Sequence, residues 1–382
     1  MSYIHSLQLH NFRCYDAARM DGVRAGLVVL TGPNGAGKTN ILEAVSLLTP
    51  GRGLRSASSA EVQKLGAKEG WAVAATVDTG GAAAQIGTGC GIDAAGKRAV
   101  RINGVPAKSQ MALSDYLSCI WLTPQMDRIF LDGSGGRRRF FDKLVFAFDP
   151  GHAGRVTRYE NAMAQRSRLL REGKGDDYWL SALESQMAET GVAIAAARLE
   201  FSARLQQACD MAGAGEESFF PKAALHLAGT IEGLLTRAPA IEVEEVFLYQ
   251  LGQSRSRDAE TGGAASGPHK SDLQVRYAAK DMPADQCSTG EQKALLIGIV
   301  LAHARLLQRE RGAPPILLLD EVAAHLDENR RGALFDLLVA LGAQVWMTGT
   351  DEPLFNAAYG RAQFWSVEAG RVGARILQED AA

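Results

Sequence analysis

The chain has 382 residues, 46% of them hydrophobic and 22% charged, which is ordinary for a globular protein and long enough for two domains or one elaborated domain. Lys and Arg number 41 against 43 Asp and Glu, so the formal charge of −2 excludes a globally basic polyanion binder and leaves only a local patch for that role. Five scattered cysteines without C-x-x-C spacing argue against a zinc or disulfide framework, and neither a signal-peptide pattern nor an apolar run of about 20 residues is present, so a cytoplasmic location is expected.

In chain order, GLVVLTG predicts a buried strand, and KTNILEAVSLL after it carries apolar residues at helical spacing (Ile41, Leu42, Val45, Leu48). Between them Gly32-Pro33-Asn34-Gly35-Ala36-Gly37-Lys38-Thr39 matches G-x-x-x-x-G-K-[ST]. Glycines let successive backbone N–H groups turn toward one anion, and the following helix start adds a favourable dipole. Lys38 is then placed to reach the β- and γ-phosphates of ATP, and the Thr39 hydroxyl to ligate Mg²⁺. WAVAATVD and the segment from Gln85 to Pro106 predict hairpin strands, with turns at Gly96 and Asn103-Gly104.

A basic stretch follows. From Arg128 to Arg171 ten Lys and Arg face four acids. Arg137, Arg138 and Arg139 follow a flexible DGSGG, and Arg155 and Arg158 begin a helix that also bears Arg166, Arg168 and Arg171. Such a segment suits sequence-independent binding to DNA phosphates; its plain alternative is a solvated helix face with arginines paired to acids. The texture here is a helical hairpin: RVTRYENAMAQRSRLLRE, a GKGDD break, then a helix from Tyr178 to Met211 of at most about 50 Å, too short for a coiled-coil arm. A glycine-rich, loosely structured DAETGGAASGPHK leads to a strand, LQVRYAA.

The last hundred residues predict a helix from Gln292 to Gln308, a strand from Pro315 to Leu319, a helix from Asn329 to Leu341 and a strand from Val345 to Met347. Ser288-x-x-Glu291 reads as a capping box opening the first of these helices. The apolar run Ile316 to Leu319 delivers Asp320 and Glu321 at its carboxyl end, where parallel sheets bind ligands. Asp320 is expected to hold Mg²⁺ and Glu321 to orient and deprotonate the attacking water. Both chain ends share this βα rhythm, which predicts one α/β domain from residues 1–128 and 268–382, with 129–267 inserted as a mainly helical lobe.

The order phosphate loop, Ser-x-Gly-x-Gln, Ile-Leu-Leu-Leu-Asp-Glu, Leu326-Asp327 resembles the head of ATP-binding-cassette (P-loop) ATPases. That resemblance implies two ATPs sandwiched in a homodimer. Ser288, Gly290 and Gln292 would meet the γ-phosphate of the facing subunit, and Asp327 would signal between sites. The long stretch from Lys38 to Asp320 favours the DNA-repair and chromosome-organising branch. LHNFRCY, LTPQMDRIFLDGSGGRRRFFDKLV, YENAMAQRSRLL, SGPHKSD and QVWMTGTD further resemble the RecF family of bacterial recombination mediators, across nearly the whole length.

The family likeness implies an ATP-dependent protein on duplex and gapped DNA, with RecR and RecO as partners and RecA loaded through them. It also implies Arg13 as a phosphate contact and Gln125 as a metal- and water-contacting glutamine. The chain departs from the family at Gln125-Met126-Asp127, where an acidic pair is more common, at Lys270, where Arg is common, and at Glu291, where an uncharged residue is often seen. Thr350 stands where transport ATPases place a γ-phosphate-sensing histidine, so slow hydrolysis is expected. The competing readings are a transporter ATPase subunit and an SMC-type structural ATPase.

Overall fold

The computed structural model describes residues 2–91, 96–173, 176–212 and 219–375. The chain packs as two units, Met1–Met126 with Ala304–Ala382, and Asp127–His303.

The first unit runs β1 (Tyr3–Phe12), β2 (Tyr15–Asp21), β3 (Leu27–Thr31), α1 (Lys38–Ser46), α2 (Ser59–Val62), β4 (Trp71–Asp78), β5 (Ala83–Cys90), β6 (Ala99–Ile102), β7 (Val105–Pro106) and β8 (Cys119–Leu122). The second holds α3 (Ser134–Phe146), α4 (His152–Glu172), α5 (Asp177–Ala212), β9 (Ala223–Ala228), α6 (Thr230–Leu235), α7 (Ala240–Gln253), α8 (Arg255–Thr261), β10 (Asp272–Tyr277), β11 (Met282–Pro283) and most of α9 (Thr289–Arg311). The first unit resumes with the end of α9, β12 (Ile316–Leu319), α10 (Glu328–Leu341), β13 (Val345–Gly349), β14 (Ala362–Glu368) and β15 (Arg371–Arg375).

In the first unit one sheet has the order β15-β14-β3-β13-β12-β8, parallel except at its β15 edge. Its inner strands are continuous apolar runs because both faces are covered: every residue of β3, β12 and β13 is buried. The other sheet, β2-β1-β4-β5-β6-β7, is antiparallel and follows the period-two rule. Trp71, Val73, Ala75 and Val77 of β4 point into the core while Ala72 and Ala74 stay exposed. Both sheets and α1 share one apolar core. The Asn103-Gly104 turn forms as expected, with φ of 50° and 81°, and pairs β6 with β7.

The second unit has its own core between α4, α5 and α7, centred on Tyr159, Met187, Ile194 and Phe247. Two expectations are corrected here. The return at residue 268 leads into this unit, because β10 pairs with β9 from Asp272↔Ala228 to Tyr277↔Ala223. The DAET of the glycine-rich run is the end of helix α8: Asp258 is buried, taking Arg166 Nη1 at 2.8 Å and Ser254 Oγ at 2.6 Å, and the helix stops at Gly262 (φ 80°). In the GKGDD break, Gly173 closes α4 in the left-handed region, and residues 174–175 lie outside the described residues.

Candidate nucleotide site

The phosphate loop joins β3 to α1 at the carboxyl edge of the parallel sheet. Gly32, Gly35 and Gly37 take φ of 148°, 78° and 113°. At Gly37 a Cβ would also lie 2.5 Å from the Tyr15 hydroxyl, so glycine is required twice over. The buried Tyr15 hydroxyl donates to the Gly37 carbonyl at 3.0 Å and fixes the loop from below. No side chain caps the start of α1, which leaves its first N–H groups for an anion. Lys38 is buried and folds back onto the loop, donating to the Gly32 and Pro33 carbonyls at 2.6 and 2.9 Å. Desolvation lowers its pKa, while the carboxylates of Glu321, Asp320 and Asp351 act in the other direction.

Two strands away, β12 brings Asp320 to the same edge. The Thr39 hydroxyl donates to Asp320 Oδ1 and Oδ2 at 2.9 and 3.1 Å, and Thr348 Oγ1 to Asp320 Oδ1 at 2.7 Å. Thr348 Oγ1 in turn accepts the Glu321 N–H at 2.9 Å. Glu321 sits at φ 53°, an unfavourable region for a side chain of its size, held there by Thr348 and the start of the following turn. Register pairs Leu319 with Leu122, so Gln125, exposed on the turn Pro124–Arg128, follows the adjoining strand β8 past the same edge. Among the described residues no group of three His, Cys, Asp or Glu could hold a metal. A hydroxyl and a carboxylate sharing hydrogen bonds are, however, the hard oxygen pair that suits Mg²⁺, which takes few protein ligands beside substrate phosphates. Thr39 and Asp320 fit that ion.

The Ser-x-Gly-x-Gln element belongs to the second unit. Its capping box is formed: the Ser288 N–H and hydroxyl donate to Glu291 Oε2 at 2.9 and 2.8 Å, and Ser288 Oγ accepts the Glu291 N–H at 3.4 Å. Lys280 also binds Glu291, and these contacts hold its carboxyl down to about 2. Gln292 is buried, its Nε2 on the Cys287 carbonyl at 2.8 Å, and Gly290 is half-buried in the first turn. Asp327 caps α10 by accepting the Arg330 N–H at 2.8 Å.

Several arginines serve structure. Arg13, expected on phosphate, grips the fully buried Glu43 of α1 with Nε and Nη2 at 2.8 and 2.6 Å and the Glu61 carbonyl with Nη1. It holds the β1–β2 turn against the loop helix, where a side chain in the left-handed region (φ 52°) makes that reach. Arg137 forms a bidentate pair with Asp272 at 2.7 and 2.9 Å, Arg138 donates to the Ser271 carbonyl, and Arg155 pairs with Asp149. Arg166 is wholly buried between Glu184 and Asp258. Of the five arginines expected on DNA, Arg139 and Arg158 are exposed and have no ion pair among the described residues. Sequence reasoning missed Thr348, Glu43, Tyr15 and Asp351. A threonine directly after the apolar run Val345–Met347 was the one available signal, for Thr348.

A family model described as the RecF/RecN/SMC N terminal domain matches residues 3–372. The "DNA replication and repair protein RecF" of Mesorhizobium japonicum is 51% identical over 373 residues, covering 97% of this chain and 98% of that protein. That of Agrobacterium fabrum is 49% identical over 372 residues, covering 96% and 97%. Among solved structures, the recombination mediator protein RecF-ATP of the RecFOR pathway superposes with a TM-score of 0.85 at 22% identity over 98% of both chains. An Smc head domain from Pyrococcus furiosus gives 0.55 at 17% identity over 99% and 96%. The fold is that of the ATP-binding-cassette head, as expected.

Proposed function

The chain belongs to the RecF family of DNA replication and repair proteins, and from there we propose that it is an ATP-dependent DNA-binding switch, closing as a homodimer on duplex DNA beside a single-strand gap. The observation that carries the ATPase reading is the Thr39–Asp320–Thr348–Glu321 chain of hydrogen bonds at the phosphate loop. When bound, Mg²⁺ would neutralise charge on the β- and γ-phosphates. Lys38 exchanges two loop carbonyls for phosphate oxygens, and the α1 N–H groups cradle the rest. Glu321 takes the proton of the attacking water, its backbone held by Thr348 so that the carboxylate does not drift, and Gln125 orients that water. Arg13 and Glu43 keep the loop helix in place.

Ser288, Gly290 and Gln292 complete the γ-phosphate site of the facing subunit, and Asp327 signals between the two sites. Glu291 adds a negative charge there that Lys280 neutralises, and Thr350 lacks the imidazole of faster relatives of the fold, so turnover is slow and serves as timing. DNA contact falls to Arg139 and Arg158, whose guanidiniums remain open; shape and phosphate, not base sequence, are read. RecR and RecO are the partners that this reading supplies, with RecA loaded downstream. A transporter subunit is disfavoured by the long stretch between Lys38 and Asp320 with its arginine run, and by the RecF/RecN/SMC family match over residues 3–372.

The deciding experiment compares Glu321→Gln protein on gapped duplex with ATP–Mg²⁺ and with ADP–Mg²⁺. Tight binding with ATP alone, lost on adding Ser288→Arg, is expected. Binding indifferent to nucleotide sinks the switch, and no DNA binding in either state sinks the function.

A further inference from the structure

At the opposite end of α1 from the phosphate loop lies a cavity of about 710 Å³. Its chemistry is one-sided. Arg98 reaches over the end of the helix and donates to the carbonyls of Leu47 (2.5 Å), Thr49 (3.0 Å) and Gly51 (2.5 Å) and to Thr88 Oγ1 (2.6 Å). Every one of these partners is neutral. Among the described residues it has no counter-ion; burial pushes the guanidinium down to about 10, and these four hydrogen bonds with the negative end of the helix dipole offset that cost. Arg52 and Lys97, both exposed, line the same cavity, with the hydroxyl residues Ser58, Ser59 and Ser109. Among the described residues no Asp or Glu lines it, in a chain where acids outnumber bases. The carboxylate that acts on Arg52, Glu61, is itself held by the Ser58 N–H at 2.6 Å and hydroxyl at 2.8 Å.

We infer that this cavity is a second anion site, separate from the phosphate loop, that takes a phosphate group. Arg52 and Lys97 supply mobile charge, Ser59 and Ser109 neutral donors, and Arg98 a fixed positive floor. Three cations and several hydroxyls match the many acceptor oxygens of a phosphate better than a single carboxylate, and the volume exceeds what one carboxylate fills. The phosphate could belong to a nucleic-acid backbone or to a free polyphosphate; the recognition chemistry is shared. The two anion sites lie at opposite ends of one nine-residue helix. The inference goes beyond the proposed function and stands without it.

The test uses the full chain and the double variant Arg52→Ala/Lys97→Ala, which spares Arg98 and so leaves the end of α1 capped. In one arm, affinity for duplex DNA is followed between about 50 and 200 mM salt, where each lost phosphate contact lowers the slope of log K by about 0.9. In the other, inorganic triphosphate is titrated at constant ionic strength with saturating ADP on the loop, and the shift in Tm is read. A slope lower by about 1 to 2 in the variant assigns the site to nucleic-acid backbone. Loss of the triphosphate shift with an unchanged slope assigns it to a free polyphosphate. A variant that matches the parent in both arms overturns the site. A parent that binds no DNA brings down the proposed function, while the triphosphate arm still decides the cavity.

Discussion

Thr348 carries more of the site than its size suggests. Its hydroxyl donates to Asp320 and accepts from the backbone of Glu321, so one oxygen holds the Asp320 carboxylate and the backbone that carries Glu321. Thr348→Val keeps the shape of a buried β-branched side chain and removes only that oxygen. It leaves the Glu321 N–H unpaired and frees a residue at φ 53° to relax. The expected result is a 10- to 100-fold fall in kcat, about 1.4 to 2.7 kcal/mol, with ATP affinity little changed. Steady-state ATPase assays beside equilibrium nucleotide binding would check it; equal losses in both would mean that the threonine serves only the loop. Arg13 teaches the complementary lesson. The family likeness places this arginine on phosphate, yet in the structure the fully buried Glu43 holds it together with Arg55, because a carboxylate buried inside α1 needs cationic partners.

Helix α9 is held by a histidine that no mechanism needs. His303 is buried, its Nε2 on the Leu144 carbonyl of α3 at 3.1 Å, with Phe148 and Phe201 edge-on to the ring. Burial pushes it down to about 4, and the same cause puts His269, bonded to Tyr159, near about 4. Both folded values lie below the unfolded 6.5. Between pH 4 and 6.5 the unfolded chain therefore binds protons that the native one refuses, so stability is full above 6.5 and falls as the pH drops through that window. Each histidine contributes a slope of up to about 1.4 kcal/mol per pH unit. Urea midpoints at pH 7 and pH 5 should differ, and His303→Phe should flatten roughly half of the histidine-linked difference. Equal midpoints at the two pH values would rule the mechanism out. The second unit also shows why a basic run is a poor guide to a binding face: Arg137 and Arg166 satisfy Asp272, Glu184 and Asp258, leaving charge on the surface only at the positions pointing away.

At the scale of the whole chain, its two ends meet in one unit, through strand pairing and through the side chains of Gln344 and Gln363. Gln344, just before β13, accepts the Ile4 N–H at 2.9 Å and donates to the carbonyls of Ile4 and Arg24, each at 2.9 Å. It is buried, so water cannot replace it. Gln344→Ala leaves three backbone groups of the N-terminal segment without partners and is expected to cost about 3 kcal/mol, seen as a lower urea midpoint. A loss under about 0.5 kcal/mol would show that the sheets hold the ends together unaided. The nucleotide site depends on this closure, since Thr39 and Asp320 come from opposite ends of the chain.

The sequence by itself determined the phosphate loop, the Asp320-Glu321 pair, the buried strands β3, β12 and β13 and the capping box at Ser288. Each is written within a few neighbouring residues, in glycine spacing, apolar runs or a local hydrogen bond. What it left open was every partnership between distant residues: Thr348 with Asp320, Arg13 with Glu43, β10 with β9, and which arginines stay free. Those depend on which groups the fold brings within hydrogen-bond distance, and on the desolvation that makes a buried charge seek the nearest opposite one. Only the tertiary structure could decide them, because local pattern records what a residue can do but not what it meets.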